Sequence, residues 1–233
     1  METGGYAVHV ELLYHTPDPE RAIATAARLC YAPVGAAELM ETMPEERVCS
    51  VLSTVIGSGH LSTLEHASYT FAVEGVSRAL THQLVRHRIA SYNQQSQRYV
   101  KYSEGLSVVK PSSVSADEQA SAAFDAAVDA AMEAYGRLLE LGVPAEDARY
   151  LLPNAAESKI VVTMNCRELL HFFSLRCCKR AQWEIREMAC RMLELARPTA
   201  PFIFADAGAP CVRGACTEGK MTCGEPYPRV RRS

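Results

Sequence analysis

No surplus of basic charge marks this chain: 24 Lys and Arg stand against 27 Asp and Glu, a formal net charge of −3. A general nucleic-acid binder depends on a broad basic surface, so the charge balance argues against that class. No apolar run is long enough to span a bilayer. The first residues lack the basic stretch and apolar core of a signal peptide. The expectation is a cytoplasmic protein with no membrane and no nucleic-acid partner. Its nine cysteines should then be mostly thiols. Internal repeats and low-complexity linkers are also absent, which leaves one compact domain, with or without appendages.

What is present is helix-rich with a few strands. Val8 to Tyr14 alternates and is rich in β-formers, so it reads as a strand. Asp18-Pro19 opens a helix to about Cys30. Another begins near Pro44 and stops at Gly57 and Gly59. Ser62 and Glu65 have capping-box spacing, as do Ser115 and Glu118. Ser68 to Val73 and Ile160 to Met164 read as strands. Ser77 is placed to cap a helix carrying Arg86. Ser115 to Gly142 is an alanine-rich helix suited to close helix–helix contact, including contact between subunits. A short helix follows from Pro144 through Leu151, and two more cover about Cys166–Cys178 and Gln182–Arg197. Cys30, Cys49, Cys166, Cys177, Cys178 and Cys190 fall in helix-like sequence and read as small buried apolar residues. The fold class is α+β: helices with a small, mostly antiparallel sheet.

The most informative stretch is Arg86 to Arg98, RHRIASYNQQSQR. It holds three arginines, a histidine, two serines, an asparagine and three glutamines, with no acidic residue. Guanidinium forks match phosphate and carboxylate, and hydroxyls and amides match a sugar or a base edge. The stretch therefore reads as a pocket wall for a polyanionic, heterocyclic ligand. On a helix, Arg86, His87 and Arg88 would fan out by about 100° per residue. Either the helix ends there, or its sides face different ligands or subunits. Arg149, Arg167 and Arg176 lie outside the window. Arg176 ends the apolar stretch Leu170-His-Phe-Phe-Ser-Leu, where a cation wants a specific anionic or carbonyl partner.

Read as R-H-R-x-x-S-x-N-x-x-S-x-R, the stretch resembles the signature of the flavin-dependent thymidylate synthases. Arg86, His87, Arg88, Ser91, Asn93, Ser96 and Arg98 fill its defined positions. Further blocks agree in order: Gly59-His60-x-Ser62-x-x-Glu65-His66, Ala148-Arg149-x-x-Leu152-Pro153, Asn165-x-Arg167, and Leu175-Arg176 followed by Ala181-Gln182-Trp183-Glu184-Ile185. The resemblance implies a synthase domain over residues 1–205, with a Cys- and Gly-containing tail over 206–233, assembling as a homotetramer. It implies FAD reduced by NADPH, and transfer of a methylene group from 5,10-methylenetetrahydrofolate to C5 of dUMP. It implies that dUMP meets Gln83, Leu84, Val85, Arg86, Gln94, Gln95, Ser96, Gln97, Arg98 and Arg149. It implies that the flavin meets Ser62, Arg86, His87, Arg88, Gln94, Asn165, Cys166, Arg167 and His171, with His60 near flavin and folate. It implies that Arg176 also meets dUMP and is the catalytic residue that promotes ionisation of the uracil ring nitrogen between the two carbonyls. Two positions depart from the family pattern: Gln94 is often glutamate there, and His171 often asparagine.

Ser96 has no adjacent base in sequence to activate it, so a binding role is expected. In the tail, Cys211, Cys216 and Cys223 are spaced by five and seven residues, unlike the paired Cys-x-x-Cys of a zinc ribbon. No metal site is expected there. The closing Arg229-Val-Arg-Arg232 run reads as a solvated tail. Two alternatives stay open. One is a non-catalytic nucleotide or RNA-binding module using the arginine-rich stretch with Tyr92 and Tyr99. The other is a folate-dependent synthase with a catalytic cysteine, for which Pro210-Cys211 is the sole Pro-Cys pair.

Overall fold

The structure, a computed structural model, describes residues 8–100, 102 and 105–229. The closing basic run beyond Arg229 lies outside the described residues. The elements in chain order are β1 (His9–His15), α1 (Pro19–Leu29), α2 (Ala36–Thr42), α3 (Glu45–Gly57), β2 (Ser68–Ser77), α4 (Arg78–Leu84), β3 (Ala90–Gln94), α5 (Ser112–Ser115), α6 (Glu118–Glu140), α7 (Ala145–Ala148), β4 (Glu157–Asn165), α8 (Cys166–Arg176) and α9 (Trp183–Ala196). A 3₁₀ helix, Leu61–His66, precedes β2. The four strands form one sheet in the order β1-β2-β4-β3. Thr16 N–H donates to Ser68 O where β1 ends and β2 begins. Thr70 and Thr163 share a 2.9 Å hydroxyl bond near the start of β2 and the end of β4. Gln95 N–H donates to Lys159 O. Each neighbouring pair is therefore antiparallel, and the α+β expectation holds.

The chain folds as two compact units. The first comprises residues up to His9, Val73–Arg86 and Asn93–Ile160. The second comprises Val10–Ala72, His87–Tyr92 and Val161 onward. In the first, Val73, Val76, Leu80, Leu84, Ala148 and Ala156 are fully buried, and Tyr135 is the largest buried side chain. In the second, Tyr69, Phe71, Phe172, Phe173 and Phe204 form an aromatic core, with Tyr69 edge-on to Phe204 at 5.6 Å. Glu20 of α1 accepts from the backbone N–H groups of Phe202 at 2.7 Å and Ile203 at 3.0 Å, and ties α1 to the segment after α9.

Both capping boxes read from sequence are absent. Ser62 lies inside the 3₁₀ helix, which has no side-chain cap, and Glu65 pairs with Arg167 at 2.6 Å instead. Ser115 closes the short α5, and Asp117 caps α6 by accepting from Ala120 N–H. Asp117 is the nearer acceptor and a strong N-cap residue. Gly142, at φ 83°, supplies the expected stop after α6. Three elements lie outside the sequence pattern: α2, the short α5 and β3. Helix α2 is short, and β3 is a polar edge strand without apolar alternation. Of the six cysteines read as buried, only Cys166 and Cys177 are so; Cys30 is exposed and the others intermediate. None of the nine is in a disulfide.

Candidate active site

In the first unit, Ser77 caps α4, with its Oγ accepting from Leu80 N–H at 3.0 Å. The helix ends at Leu84, so the first of the two alternatives for Arg86–Arg88 holds: the three residues leave the helix in a turn. Leu84 is fully buried, whereas Val85 and Arg86 are exposed. Strand β3 delivers Gln94, whose amide donates to Thr81 Oγ1 at 3.2 Å and Ser158 Oγ at 2.9 Å. Two buried hydroxyls suit a neutral amide, which accounts physically for glutamine at this position. Past β3, Ser96 Oγ accepts from Arg98 N–H at 3.1 Å and closes a local turn. Gln97 is buried and Gln95 half-buried.

Three arginines gather in this unit. Arg98 pairs with Glu146 through Nε at 2.8 Å and Nη2 at 2.7 Å, both groups about half-exposed. Arg149 Nε donates to the Glu146 carbonyl at 3.0 Å. Arg78 is half-buried; burial lowers its pKa first, Tyr102 opposes that, and the Arg149 charge adds to the lowering. Like-charged guanidiniums held near one another favour an anion between them. No sequence motif points to Arg78. It opens α4 at the positive end of the helix dipole, where a cation is disfavoured, and that misfit is the available signal.

In the second unit, His87 is the pivot. It is 4 % exposed. Its Nδ1 stands 3.1 Å from Glu168 Oε1, and its Nε2 accepts from Arg176 Nε–H at 3.0 Å. A nitrogen that accepts carries no proton, so the neutral ring holds its single proton on Nδ1 and donates it to Glu168. Burial, then the Arg176 and His171 charges, push the His87 pKa down to about 4. Burial also raises the Glu168 pKa, with His171 pulling it back, and lowers that of Arg176. Tyr92 Oη–H donates to the His87 carbonyl at 2.7 Å and fixes the backbone beneath the ring. Both ring nitrogens are occupied, so the ring itself has no hydrogen bond left for a flavin. The flanking Arg86 and Arg88 side chains are exposed.

The other residues expected at the flavin lie in this unit as follows. Asn165 caps α8, its Oδ1 accepting from Glu168 N–H at 2.9 Å. Cys166 is fully buried, its thiol pushed up to about 12 by burial and then by the Glu20 charge, so it is not a reactive group. Arg167 and His171 are exposed on α8, Arg167 paired with Glu65. His60 and Ser62 line a cleft of about 530 Å³ with Arg28, Arg47, Ser50 and Thr54. Neither Arg28 nor Arg47 has an acidic partner among the described residues. Two uncompensated guanidiniums among hydroxyls fit a diphosphate or dicarboxylate ligand. Sequence spacing hides them, because they come from α1 and α3. Among the described residues no group of three or more His, Cys, Asp or Glu is placed to hold a metal. Cys178, Cys211, Cys216 and Cys223 line a separate cavity of about 370 Å³ within the same unit.

A buried neutral histidine has a stability signature. The unfolded chain binds a proton at His87 below about pH 6.5 that the folded chain refuses until about pH 4. Stability conferred by the neutral ring is therefore complete above the unfolded value and lost as pH falls through that window. The expected loss is about 2 kcal/mol between pH 7 and 5. Thermal midpoints should fall more steeply on acidification in the wild type than in His87→Gln. Equal slopes would contradict a buried neutral ring.

The family model described as thymidylate synthase complementing protein matches residues 11–202. The flavin-dependent thymidylate synthase of Geobacter sulfurreducens is 59% identical over 217 residues, covering 93% of this chain and 94% of its own. That of Clostridium tetani is 46% identical over 234 residues, covering 94% of each. The solved structure of PolB, a UMP/dUMP methylase from Streptomyces cacaoi bound with 5-Br dUMP, superposes with a TM-score of 0.74 at 27% identity, covering 85% of this chain and 94% of that one. The order of motif blocks, the family match over most of the chain and these identities together establish that the chain belongs to the flavin-dependent thymidylate synthase family.

Proposed function

We propose that this protein converts dUMP to dTMP, taking a methylene group from 5,10-methylenetetrahydrofolate and a hydride from FAD reduced by NADPH. The observation that carries the reading is the neighbouring pair Arg78 and Arg149 in the unit that also holds the Gln94–Arg98 stretch. A nucleotide phosphate is the natural counter-ion for such a pair. An RNA-binding module has less support, because the chain is net acidic and its curated relatives bear an enzyme's name. The cysteine-dependent alternative has none, because Cys211 lies in the tail, in a cavity lined by none of the expected site residues.

In this reading Gln83, Arg86, Ser96, Arg98 and Arg149 bind the sugar and phosphate of dUMP, with Leu84, Val85, Gln95 and Gln97 framing them. Leu84 is buried, so its contribution is through the backbone. The flavin and folate use the cleft of His60 and Ser62, and Arg28 and Arg47 suit the diphosphate of FAD or the carboxylates of folate. Bound flavin supplies the hydride that completes the methyl group. Arg176 stabilises the uracil anion electrostatically. Ser96 Oγ has no base within hydrogen-bond reach among the described residues, and its bond to Arg98 N–H gives it a turn-forming role.

A homotetramer belongs to the same proposal. Helix α6 runs 23 residues with Tyr135 its sole buried side chain, and leaves an alanine-rich face uncovered. Partner subunits are its natural cover. No helix among the described residues is long and apolar enough to cross a membrane, and a cytoplasmic location completes the reading.

The protein should turn over dUMP to dTMP only when FAD is present, and flavin-stripped enzyme should be silent until FAD is restored. Formation of dTMP by stripped enzyme, or none by the flavin-loaded one, would overturn the assignment. Arg149→Ala should weaken dUMP binding about tenfold or more, measured by calorimetry, with flavin content unchanged. Ser96→Ala should keep measurable turnover; complete loss with intact dUMP binding would make the serine a nucleophile. Arg28→Ala/Arg47→Ala should weaken either FAD or folate about tenfold, read by flavin fluorescence titration and by the folate KM. No change in either would remove both arginines from the site.

A further inference from the structure

We propose that Glu168 is a positioning residue for the methylation step, acting through His87 to fix the guanidinium of Arg176. This rests on the reading of Arg176 as the group that meets the uracil ring. Glu168 itself belongs to none of the motif blocks.

The geometry begins with α8. Glu168, His171, Phe172 and Arg176 follow one another at helical spacing and share one face. His87 is inserted against that face. Its Nδ1 meets Glu168, its ring stands edge-on to Phe172 at 4.9 Å and to His171 at 5.8 Å, and its Nε2 meets Arg176. Tyr92 holds the backbone carbonyl of the same residue. The ring therefore cannot slide along the helix, and the one freedom left to it is which nitrogen carries the proton.

Glu168 removes that freedom. An acceptor opposite Nδ1 keeps the proton there and leaves a lone pair on Nε2. Arg176 Nε–H needs that lone pair. With the proton on Nε2, two donors would face each other at 3.0 Å and this bond to the guanidinium would be lost. The side chains of His87 and Glu168 are 3% and 7% exposed, so water is a poor substitute for either partner. The Glu168 carboxylate is thus held behind the ring rather than beside the substrate, which makes it a positioning group and not a catalytic residue.

The test uses flavin-loaded full-length protein in three variants. Glu168→Gln keeps an acceptor oxygen in place. Glu168→Leu removes it at similar size. Glu168→Asp keeps the charge but withdraws it by one methylene. We expect Glu168→Gln to stay within about threefold of wild type in kcat, because the acceptor and its reach are kept. Glu168→Leu should lose about 100-fold in kcat, and Glu168→Asp about tenfold, the scale of a catalytic group displaced by an ångström. Anaerobic reduction of the bound flavin by NADPH, which does not use Arg176, should remain within about threefold in all variants. A merely structural role would lower flavin reduction and methylation together and would not be rescued by glutamine. Unchanged kcat in Glu168→Leu, parallel loss of both half-reactions, or failure of all three variants to fold would each overturn the inference. Absence of dTMP formation by the wild type would overturn the reading beneath it instead.

Discussion

A single buried imidazole, held neutral with its proton on one particular nitrogen, is the constraint on which the second unit's chemistry depends. His87 lies between an acceptor, Glu168, and a donor, Arg176, and can satisfy both in one tautomer alone. Burial keeps it neutral; a protonated ring would present two donors and lose the arginine. The aromatic core beneath matters for the same reason. Phe172 packs against His87 at 4.9 Å and Phe173 against Phe204 at 6.0 Å, so the face of α8 that holds Arg176 is anchored in the most tightly buried part of the unit. Burying a guanidinium near an apolar wall is costly without an oriented acceptor, and the histidine provides one.

Much of this is legible in the sequence, but the roles are less so than the residues. The polar stretch Arg86–Arg98 announces a ligand wall through its composition, and the order of blocks identifies the family. His87, however, is expected at the flavin, and its ring is instead committed within the protein. Alternation of exposure from Arg86 through Arg88 follows from the turn after α4, which spacing alone does not distinguish from a continuing helix. Glu168 is invisible in sequence. An acid in the first turn of a helix is the ordinary complement to the helix dipole, and its partner lies 81 positions earlier in the chain. Gln94 looks like a departure from pattern; two buried hydroxyls, from Thr81 and Ser158, give it a neutral environment that suits an amide. The misplaced caps have a simpler cause: Ser-x-x-Glu spacing is common, and Asp117 lies closer to the start of α6 than Ser115 does.

The expected site residues are spread over both units. Gln83–Arg86, Gln94–Arg98 and Arg149, expected at the nucleotide, belong to the first unit, joined there by Arg78. His60, Ser62, His87, Arg88, Asn165, Cys166, Arg167 and His171, expected at the flavin, belong to the second, as does Arg176, expected at dUMP; Arg86 and Gln94, expected at both ligands, belong to the first. Each unit carries its own anion-seeking arginines: Arg78 and Arg149 in one, Arg28 and Arg47 in the other. The proposed reaction, which would bring together a nucleotide, a dinucleotide cofactor and a folate, requires several anionic ligands to be held at once. Separate positively charged stations answer that requirement in a chain whose overall charge is negative.

The chemistry of the second unit turns on one proton, that of the His87 ring. Neutron diffraction from deuterated crystals grown near neutral pH would locate it directly. The account requires deuterium on His87 Nδ1, directed at Glu168, and none on Nε2, which accepts from Arg176 Nε. Deuterium on Nε2, or on both nitrogens, would contradict it, because Arg176 Nε would then lose His87 as its acceptor and the link from Glu168 to the Arg176 guanidinium would be broken.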